Sequence, residues 1–404
     1  MSNIDNLIAD RMSLIKPSPT MAVSKLAAEL KAAGKDVIGL GAGEPDFDTP
    51  DHIKLAAIEA IKNGQTKYTA VDGTPKLKKA VSDKFQRDNN IKYNIDEIII
   101  SVGGKQVLFN ALLSSINPGD EVIIPSPYWV SYPDMVALAG GKPIIVEGKS
   151  ENNFKIMPED IKDKISTKTK WIIINSPSNP TGSSYSKKEL KNIGDLLINY
   201  KNIFIMSDDI YEKIIYDDNK FYTIAEVVPE LKDRILTVNG VSKAYAMTGW
   251  RIGYAGGPKT LISAMAKLQS QSTSNPSSIS QAAALAALEG PEDFLSERNA
   301  QFKIRRNMVV EKLNKCKGIH CLLPTGAFYV YPSCKGLIGK QTPAGQIINN
   351  SIDFSSYLLE EVGVAVVPGS AFGADFFFRI SYATSDSILV EACNRIQKAC
   401  DQLI

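Results

Sequence analysis

The sequence predicts an α/β protein with a mostly parallel, seven-stranded sheet in a large domain and a second, smaller α+β domain. Between residues 50 and 290, short apolar runs alternate with segments of helical periodicity, which is typical of a parallel sheet covered by helices. Several runs are continuously apolar, as in strands buried on both faces. After about residue 300 this alternation stops. We therefore predict a large domain at residues 48–299 and a smaller domain at residues 1–47 and 300–404.

Strands of the large sheet are predicted at residues 97–102, 121–125, 143–146, 171–175, 203–207, 235–239 and 252–256, with helices at 106–116, 187–200 and 258–269. The smaller domain is predicted to contain helices at 300–313 and 386–403, a polar loop at 335–350, and strands at 327–331, 364–367 and 376–381. Because ligands of parallel sheets bind beyond the carboxyl ends of the strands, residues after those ends are the first candidates for chemistry.

Composition argues against several classes of function. The net charge of +2 over 404 residues is too small for a typical nucleic-acid binder. No signal sequence or membrane-spanning segment is evident, and the odd number of cysteines predicts reduced thiols in the cytoplasm. The two histidines, His52 and His320, cannot support most histidine-dependent mechanisms or a complete zinc site. A lysine or an organic cofactor is the better candidate, with no bound metal.

A glycine-containing segment at residues 39–44 does not fit a dinucleotide site. The G-x-G-x-x-G fingerprint requires glycine at position 44, where Glu44 stands. Gly43 instead predicts a tight turn whose backbone approaches a ligand closely. An NAD enzyme is therefore not predicted.

Two other segments have the chemistry of an anion site. At residues 101–106 a strand ends and a helix begins, so the N–H groups at Gly103 and Gly104 can bind a phosphate. In the second segment Ser242 and Arg251 flank Lys243, which follows a strand end. A lysine that is desolvated near cations loses its proton more easily and becomes a nucleophile toward an aldehyde. Taken alone, Lys243 fits a structural ion pair equally well.

Together, these motifs resemble the signature of class I aminotransferases, fold-type I enzymes that use pyridoxal phosphate (PLP). Residues 175–182, with Asn179, resemble the family's N-P-x-N-P-T-G stretch, and residues 207–212 resemble its D-E-x-Y stretch. The resemblance extends from Pro45 to Arg379. It is nearest to a bacterial subgroup of aspartate aminotransferases, some of which also transaminate prephenate.

The resemblance implies a role for each matching residue. Lys243 resembles the Schiff-base lysine that also moves the substrate proton, and Asp208 resembles the partner of the pyridine nitrogen. Asn179 and Tyr211 resemble the pair that hydrogen-bonds the ring 3-oxygen. Trp129 resembles the aromatic residue that stacks on the ring. The residues implied around the phosphate are Gly103, Gly104, Lys105, Ser242, Arg251 and, from a neighbouring subunit of a homodimer, Tyr68.

One position departs from the family pattern. Asp209 stands where the family usually has glutamate, which leaves two adjacent aspartates as candidates for the pyridine nitrogen. The spacing to Tyr211 favours Asp208, and strand alternation would direct Asp209 to the opposite face.

The resemblance also implies the substrate contacts. Arg379 resembles the arginine whose guanidinium fork binds the α-carboxylate. Lys105 and Lys16 are candidates for a second carboxylate, and Gly43, Trp129 and Asn179 complete the predicted substrate site. These cations favour transfer from aspartate to 2-oxoglutarate by a ping-pong mechanism, with amino acids and 2-oxo acids as the small-molecule partners.

Three alternatives remain open from the sequence. A PLP-dependent β-lyase or C–S lyase would retain Lys243, Asp208 and Tyr211 without needing a cation for a distal carboxylate. An aminotransferase for aromatic amino acids would share the same site. A non-enzymatic PLP-binding regulator is disfavoured, because no helix-turn-helix precedes the fold.

Overall fold

The computed structural model describes residues 7–404; residues 1–6, which the sequence places in the smaller domain, lie outside the described residues. The strands within this range are β1 (Ile38–Gly39), β2 (Ile98–Ser101), β3 (Glu121–Ser126), β4 (Lys142–Glu147), β5 (Thr169–Asn175), β6 (Phe204–Asp208), β7 (Ile235–Gly240), β8 (Gly253–Gly256), β9 (Tyr329–Val330), β10 (Val364–Ala365), β11 (Val367–Pro368) and β12 (Phe378–Ser381).

The helices are α1 (Pro19–Ala32), α2 (Asp51–Lys62), α3 (Pro75–Asn89), α4 (Gly104–Ser115), α5 (Ser131–Leu138), α6 (Pro158–Lys162), α7 (Lys187–Ile198), α8 (Ile224–Val227), α9 (Lys259–Ser270), α10 (Ser278–Glu289), α11 (Asp293–Leu313), α12 (Ser351–Val362) and α13 (Asp386–Gln402). Short 3-10 turns connect several of them.

The large sheet has seven strands in the order β2-β8-β7-β6-β5-β3-β4. Strand β8 is antiparallel to both of its neighbours, and the remaining pairs are parallel. This confirms the predicted α/β class and the mostly parallel, seven-stranded sheet. The carboxyl ends of β5, β6 and β7 meet at one edge, where Asn175, Asp208 and Gly240 end their strands.

Both faces of this sheet are covered, which explains the continuous apolar runs. In β2 the side chains of Ile98 and Ile100 belong to one buried cluster, whereas Ile99 belongs to the cluster on the other face. All three are fully buried. Each buried isoleucine contributes on the order of 1.5–3 kcal/mol relative to an exposed one, so both faces stabilise the sheet.

The remaining strands form two small sheets. Strands β1 and β10 make a parallel pair, and β11, β12 and β9 form an antiparallel sheet. The single strand predicted at residues 364–367 is wrong. Its two halves, separated by Val366, pair with β1 and β12 in different sheets, a division that depends on partners distant in sequence.

Helix α11 begins at Asp293, seven residues before the predicted start at residue 300. Its first turn packs Phe294 and Leu295 against the large core, and its later turns bury Phe302 and Val309 in the C-terminal core. The helix therefore spans the predicted boundary between residues 299 and 300. The division of the chain into two domains at residues 47/48 and 299/300 stays a prediction.

Candidate active site

Lys243 lies three residues after β7, in the loop that leads toward β8. Its Nζ donates a hydrogen bond to the carbonyl of Gly43 at 2.5 Å and lies 6.0 Å from the centre of the Tyr211 ring. Burial lowers the pKa of this amine to about 8, with Arg379 among the groups that lower it and Glu44 opposing them. The structure therefore holds an amine that loses its proton more easily than an ordinary lysine, which favours nucleophilic chemistry.

Asp208 and Asp209 have different surroundings. The Asp208 carboxylate accepts a hydrogen bond from the Tyr132 hydroxyl at 2.6 Å, and its charge acts on Lys243. Asp209 instead accepts from Ser207 at 2.7 Å. Burial raises the pKa of both carboxyls, that of Asp209 to about 7. Asp208 is thus the aspartate on the Lys243 side.

A buried polar cluster lies beside the amine. Arg379, only 1% exposed, donates through Nη1 to Asn179 Oδ1 at 2.8 Å and through Nη2 to the Gly41 carbonyl at 2.6 Å. The hydroxyls of Tyr211 and Tyr329 lie 2.8 Å apart. These contacts bring three predicted residues, Asn179, Tyr211 and Arg379, into one site.

The Arg379 guanidinium contacts two aromatic rings. Its central carbon is 4.6 Å from the centre of the Tyr329 ring and 5.0 Å from that of Phe372. Its Nε has no hydrogen-bond partner among the described residues. No carboxylate within residues 7–404 forms an ion pair with this buried cation, and burial lowers its pKa. A buried, incompletely bonded guanidinium is suited to an anionic ligand.

A second anion site lies at the amino end of α4. Gly103 has φ +86°, a conformation that favours glycine, and a Cβ there would lie 2.4 Å from Nη2 of Arg251. The guanidinium therefore packs directly on the turn that leads into Gly104, the first residue of α4. Backbone N–H groups, the helix dipole and a cation coincide here, as in phosphate-binding sites.

Lys105 and Trp129 lie next to this turn. Lys105 Nζ is 4.8 Å from the centre of the Trp129 ring, and burial together with the charge of Arg251 lowers the pKa of the lysine. Lys105, Arg251 and Asp134 line a cavity of about 320 Å³. Lys16 is exposed, and its charge opposes the rise in the Asp134 pKa that burial causes.

The remaining predicted residues differ in exposure. Ser242 is buried beside Lys243, whereas the Tyr68 side chain is 91% exposed. The sequence did not identify Tyr132, Tyr329 and Phe372, which contact Asp208, Tyr211 and Arg379. Only the position of Tyr132, three residues after Trp129, could have indicated its place in the site. In other respects the sequence does not distinguish a buried site tyrosine from an ordinary core aromatic residue.

Among residues 7–404, no helix combines the length and the apolar character that a membrane span requires. No group of three or more His, Cys, Asp or Glu side chains in the same range is arranged to hold a metal ion.

Comparisons with known proteins agree with this geometry. Residues 35–396 match the family Aminotransferase class I and II. The aspartate/prephenate aminotransferase of Cereibacter sphaeroides is 57% identical over 393 residues, covering 97% of this chain and 98% of that protein. A probable aspartate/prephenate aminotransferase of Rickettsia felis is 58% identical over 398 residues, covering 98% and 97%. The crystal structure of the aspartate aminotransferase from Rhizobium meliloti has a TM-score of 0.96 at 54% identity, covering 98% and 99%. These matches confirm the resemblance: the chain belongs to the class I and II aminotransferase family.

Proposed function

We propose that this chain is a PLP-dependent aminotransferase that transfers the amino group of aspartate to 2-oxoglutarate, giving oxaloacetate and glutamate, with prephenate as a further acceptor. The observation that carries the proposal is the position of the Lys243 amine, which donates to the Gly43 carbonyl and interacts with the charges of the buried Asp208 carboxylate and the buried Arg379 guanidinium. The names of the relatives from Cereibacter sphaeroides and Rhizobium meliloti support the substrate class.

The residues of the site fit PLP. Gly103, Gly104 and Arg251 would hold the phosphate at the start of α4, with Ser242 and Lys105 beside it. Asp208 would accept the pyridine N–H, and Tyr132 already fixes that carboxylate. Tyr211 and the Nδ2 of Asn179 would donate to the ring 3-oxygen, and Trp129 would cover one face of the ring.

When bound, PLP supplies an electron-withdrawing ring that lets the α-hydrogen of an amino acid leave as a proton. Lys243 Nζ accepts that proton and returns it at a different carbon, so one amine acts as base and as acid. Its low pKa favours this role, because the amine must be neutral before it can accept. Tyr211 and Asp208 hold the reacting groups in orientation.

Arg379 would bind the substrate α-carboxylate. Its guanidinium is held in place by Asn179 and Gly41, so little conformational freedom is lost on binding. Lys105 is the first candidate for the second carboxylate of aspartate, with Lys16 nearby. A lysine is a compact point charge that discriminates carboxylate geometry less sharply than arginine, which supports acceptance of a larger dicarboxylate such as prephenate.

We further propose a cytoplasmic homodimer in which Tyr68 reaches the phosphate of the neighbouring subunit. Tyr68 is 91% exposed, and Leu55, Ile58 and Ile61 of α2 are also 45–58% exposed. Exposed apolar side chains on a helix that is followed along the chain by an exposed tyrosine are suited to burial against a second copy.

A substrate panel tests the proposed activity. Aspartate and glutamate should abolish the visible absorbance of the PLP-loaded protein within a single turnover, and 2-oxoglutarate should restore it. Release of pyruvate from cysteine or another β-substituted amino acid, without any added oxo acid, would identify a lyase instead. Aromatic amino acids that react while both acidic ones do not would contradict the substrate assignment.

A further inference from the structure

Tyr329 lies beside three parts of the site: Tyr211, Arg379 and the turn at Gly43 that binds the Lys243 amine. It is fully buried on β9, and its hydroxyl lies 2.8 Å from that of Tyr211. Its ring packs against the Arg379 guanidinium at 4.6 Å. A Cβ at Gly43 would lie 3.0 Å from the Tyr329 hydroxyl, and the Gly43 carbonyl accepts the hydrogen bond from Lys243.

The direction of the Tyr211–Tyr329 hydrogen bond follows from counting protons. Either hydroxyl can donate in this structure. Under the proposed function, Tyr211 uses its one hydroxyl hydrogen to bond the ring 3-oxygen of the cofactor. Tyr211 can then only accept from Tyr329. Burial raises the pKa of Tyr329, and the charge of Arg379 opposes this rise, so Arg379 makes Tyr329 a better donor.

We propose that Tyr329 is a positioning residue whose hydroxyl donates to Tyr211, and thereby strengthens the hydrogen bond from Tyr211 to the cofactor, while its ring holds Arg379 for the substrate carboxylate. This inference rests on the proposed function. It assigns separate tasks to the hydroxyl and to the ring of one side chain, and two substitutions can separate those tasks.

The Tyr329 hydroxyl should affect the pH at which half of the bound cofactor has changed its visible absorbance. This pH is called the midpoint below. The visible absorbance of the bound cofactor changes with pH when the nitrogen contributed by Lys243 is protonated. A weaker donor at the ring oxygen leaves more negative charge there, which favours the proton on that nitrogen. The charged groups that face Lys243, namely Glu44, Asp208, Arg251 and Arg379, are retained in a Tyr329→Phe variant. A change of the midpoint in this variant therefore reports the loss of the Tyr329 hydroxyl alone.

The experiment compares PLP-loaded wild type with Tyr329→Phe, Tyr329→Leu and the control Tyr382→Phe. Tyr382 is also fully buried, and its hydroxyl bonds Tyr216 and the Ala327 carbonyl. For Tyr329→Phe we expect the midpoint to rise by about 0.4–1 pH unit, as for the loss of one hydrogen bond. Its affinity for maleate, a dicarboxylate that lacks an amino group, should stay within about twofold of wild type. Tyr382→Phe should change neither quantity.

The ring is tested by Tyr329→Leu. This variant loses the cation–π contact, so its maleate affinity should fall about three- to tenfold below that of Tyr329→Phe. Equal maleate affinities of the Phe and Leu variants would overturn the role given to the ring.

A double substitution tests the route through Tyr211. Tyr211→Phe alone should raise the midpoint, and adding Tyr329→Phe should raise it by less than about 0.2 unit more, because the donor has lost its acceptor. An unchanged midpoint in Tyr329→Phe, or a full shift in the Tyr211→Phe background, would overturn the inference. A wild-type protein that forms no visibly absorbing adduct with PLP would instead overturn the proposed function.

Discussion

At the residue scale, the partly buried amine of Lys243 should lower the stability of the cofactor-free protein. Burial lowers its pKa from 10.5 to about 8. Between these pH values the unfolded chain binds more protons than the folded chain, so this group makes stability rise with pH. Below pH 8 both states are protonated, and the folded state carries the full cost. We expect Lys243→Met to raise the free energy of unfolding of the cofactor-free protein at pH 7 by about 1–3 kcal/mol.

Urea unfolding at pH 7 and near pH 10.5 measures this effect, and the gain should vanish at the higher pH. Lys213 provides a control of opposite sign. Burial alone would lower its pKa, but ion pairs with Asp88 and Glu292 raise it overall. Lys213→Met should therefore destabilise the protein at pH 7. A Lys243→Met protein less stable than wild type at pH 7 would contradict the prediction.

Sequence reasoning at this scale identified residues whose chemistry is unusual for their position. Lys243 after a strand end, and Arg379 within an apolar run, are both conspicuous in the sequence. Tyr132 and Tyr329 are not, because a buried tyrosine looks like any other core aromatic until its hydroxyl partner is known. The group that bonds each hydroxyl lies on another strand or loop, so the local sequence around the tyrosine cannot predict it.

At the scale of elements, a buried ion pair joins α3 to the segment that carries Tyr211. Lys84 of α3 pairs with Glu212, and their side chains are only 1% and 6% exposed. Asn89 also donates to Glu212, at 3.0 Å. Lys84→Met would leave a buried carboxylate without its cation. We expect it to lower the free energy of unfolding by about 3–5 kcal/mol, as measured by urea unfolding.

Helix α3 also supplies the matched control. Lys79 and Asp83 form an ion pair on its exposed face, with side chains 65% and 54% exposed. Lys79→Met should change the stability by less than about 1 kcal/mol. If Lys79→Met and Lys84→Met lowered the free energy of unfolding by similar amounts, the prediction would be wrong, because the destabilisation would then not depend on the burial of the ion pair.

Helices and strands could be predicted where their burial leaves a pattern within the element's own sequence. The strands of the large sheet were found because apolar residues on both faces produce continuous runs. The antiparallel direction of β8 and the division between β10 and β11 were not predictable. Both depend on which strand lies alongside, and that information is distant in the sequence.

At the scale of the whole molecule, the proposed homodimer makes each active site depend on two chains. The sequence alone suggested this only through Tyr68, whose 91% exposure in one chain is the structural observation that agrees with it. Loss of one hydrogen bond from a tyrosine to a phosphate should weaken PLP binding by about 10- to 100-fold. Tyr68→Phe protein at limiting PLP should therefore be largely inactive.

Subunit exchange distinguishes a shared site from a separate one. Lys243→Ala protein is expected to be inactive but to retain Tyr68, whereas Tyr68→Phe protein retains Lys243. In a mixed dimer, one site combines Lys243 of one chain with Tyr68 of the other and is complete, while the second site lacks both. Mixing the two variants under exchange conditions at limiting PLP should therefore restore activity, up to about one quarter of the wild-type value for equal, random mixing. If the mixture shows only the summed activities of its parents although mixed dimers have formed, Tyr68 does not serve the neighbouring site.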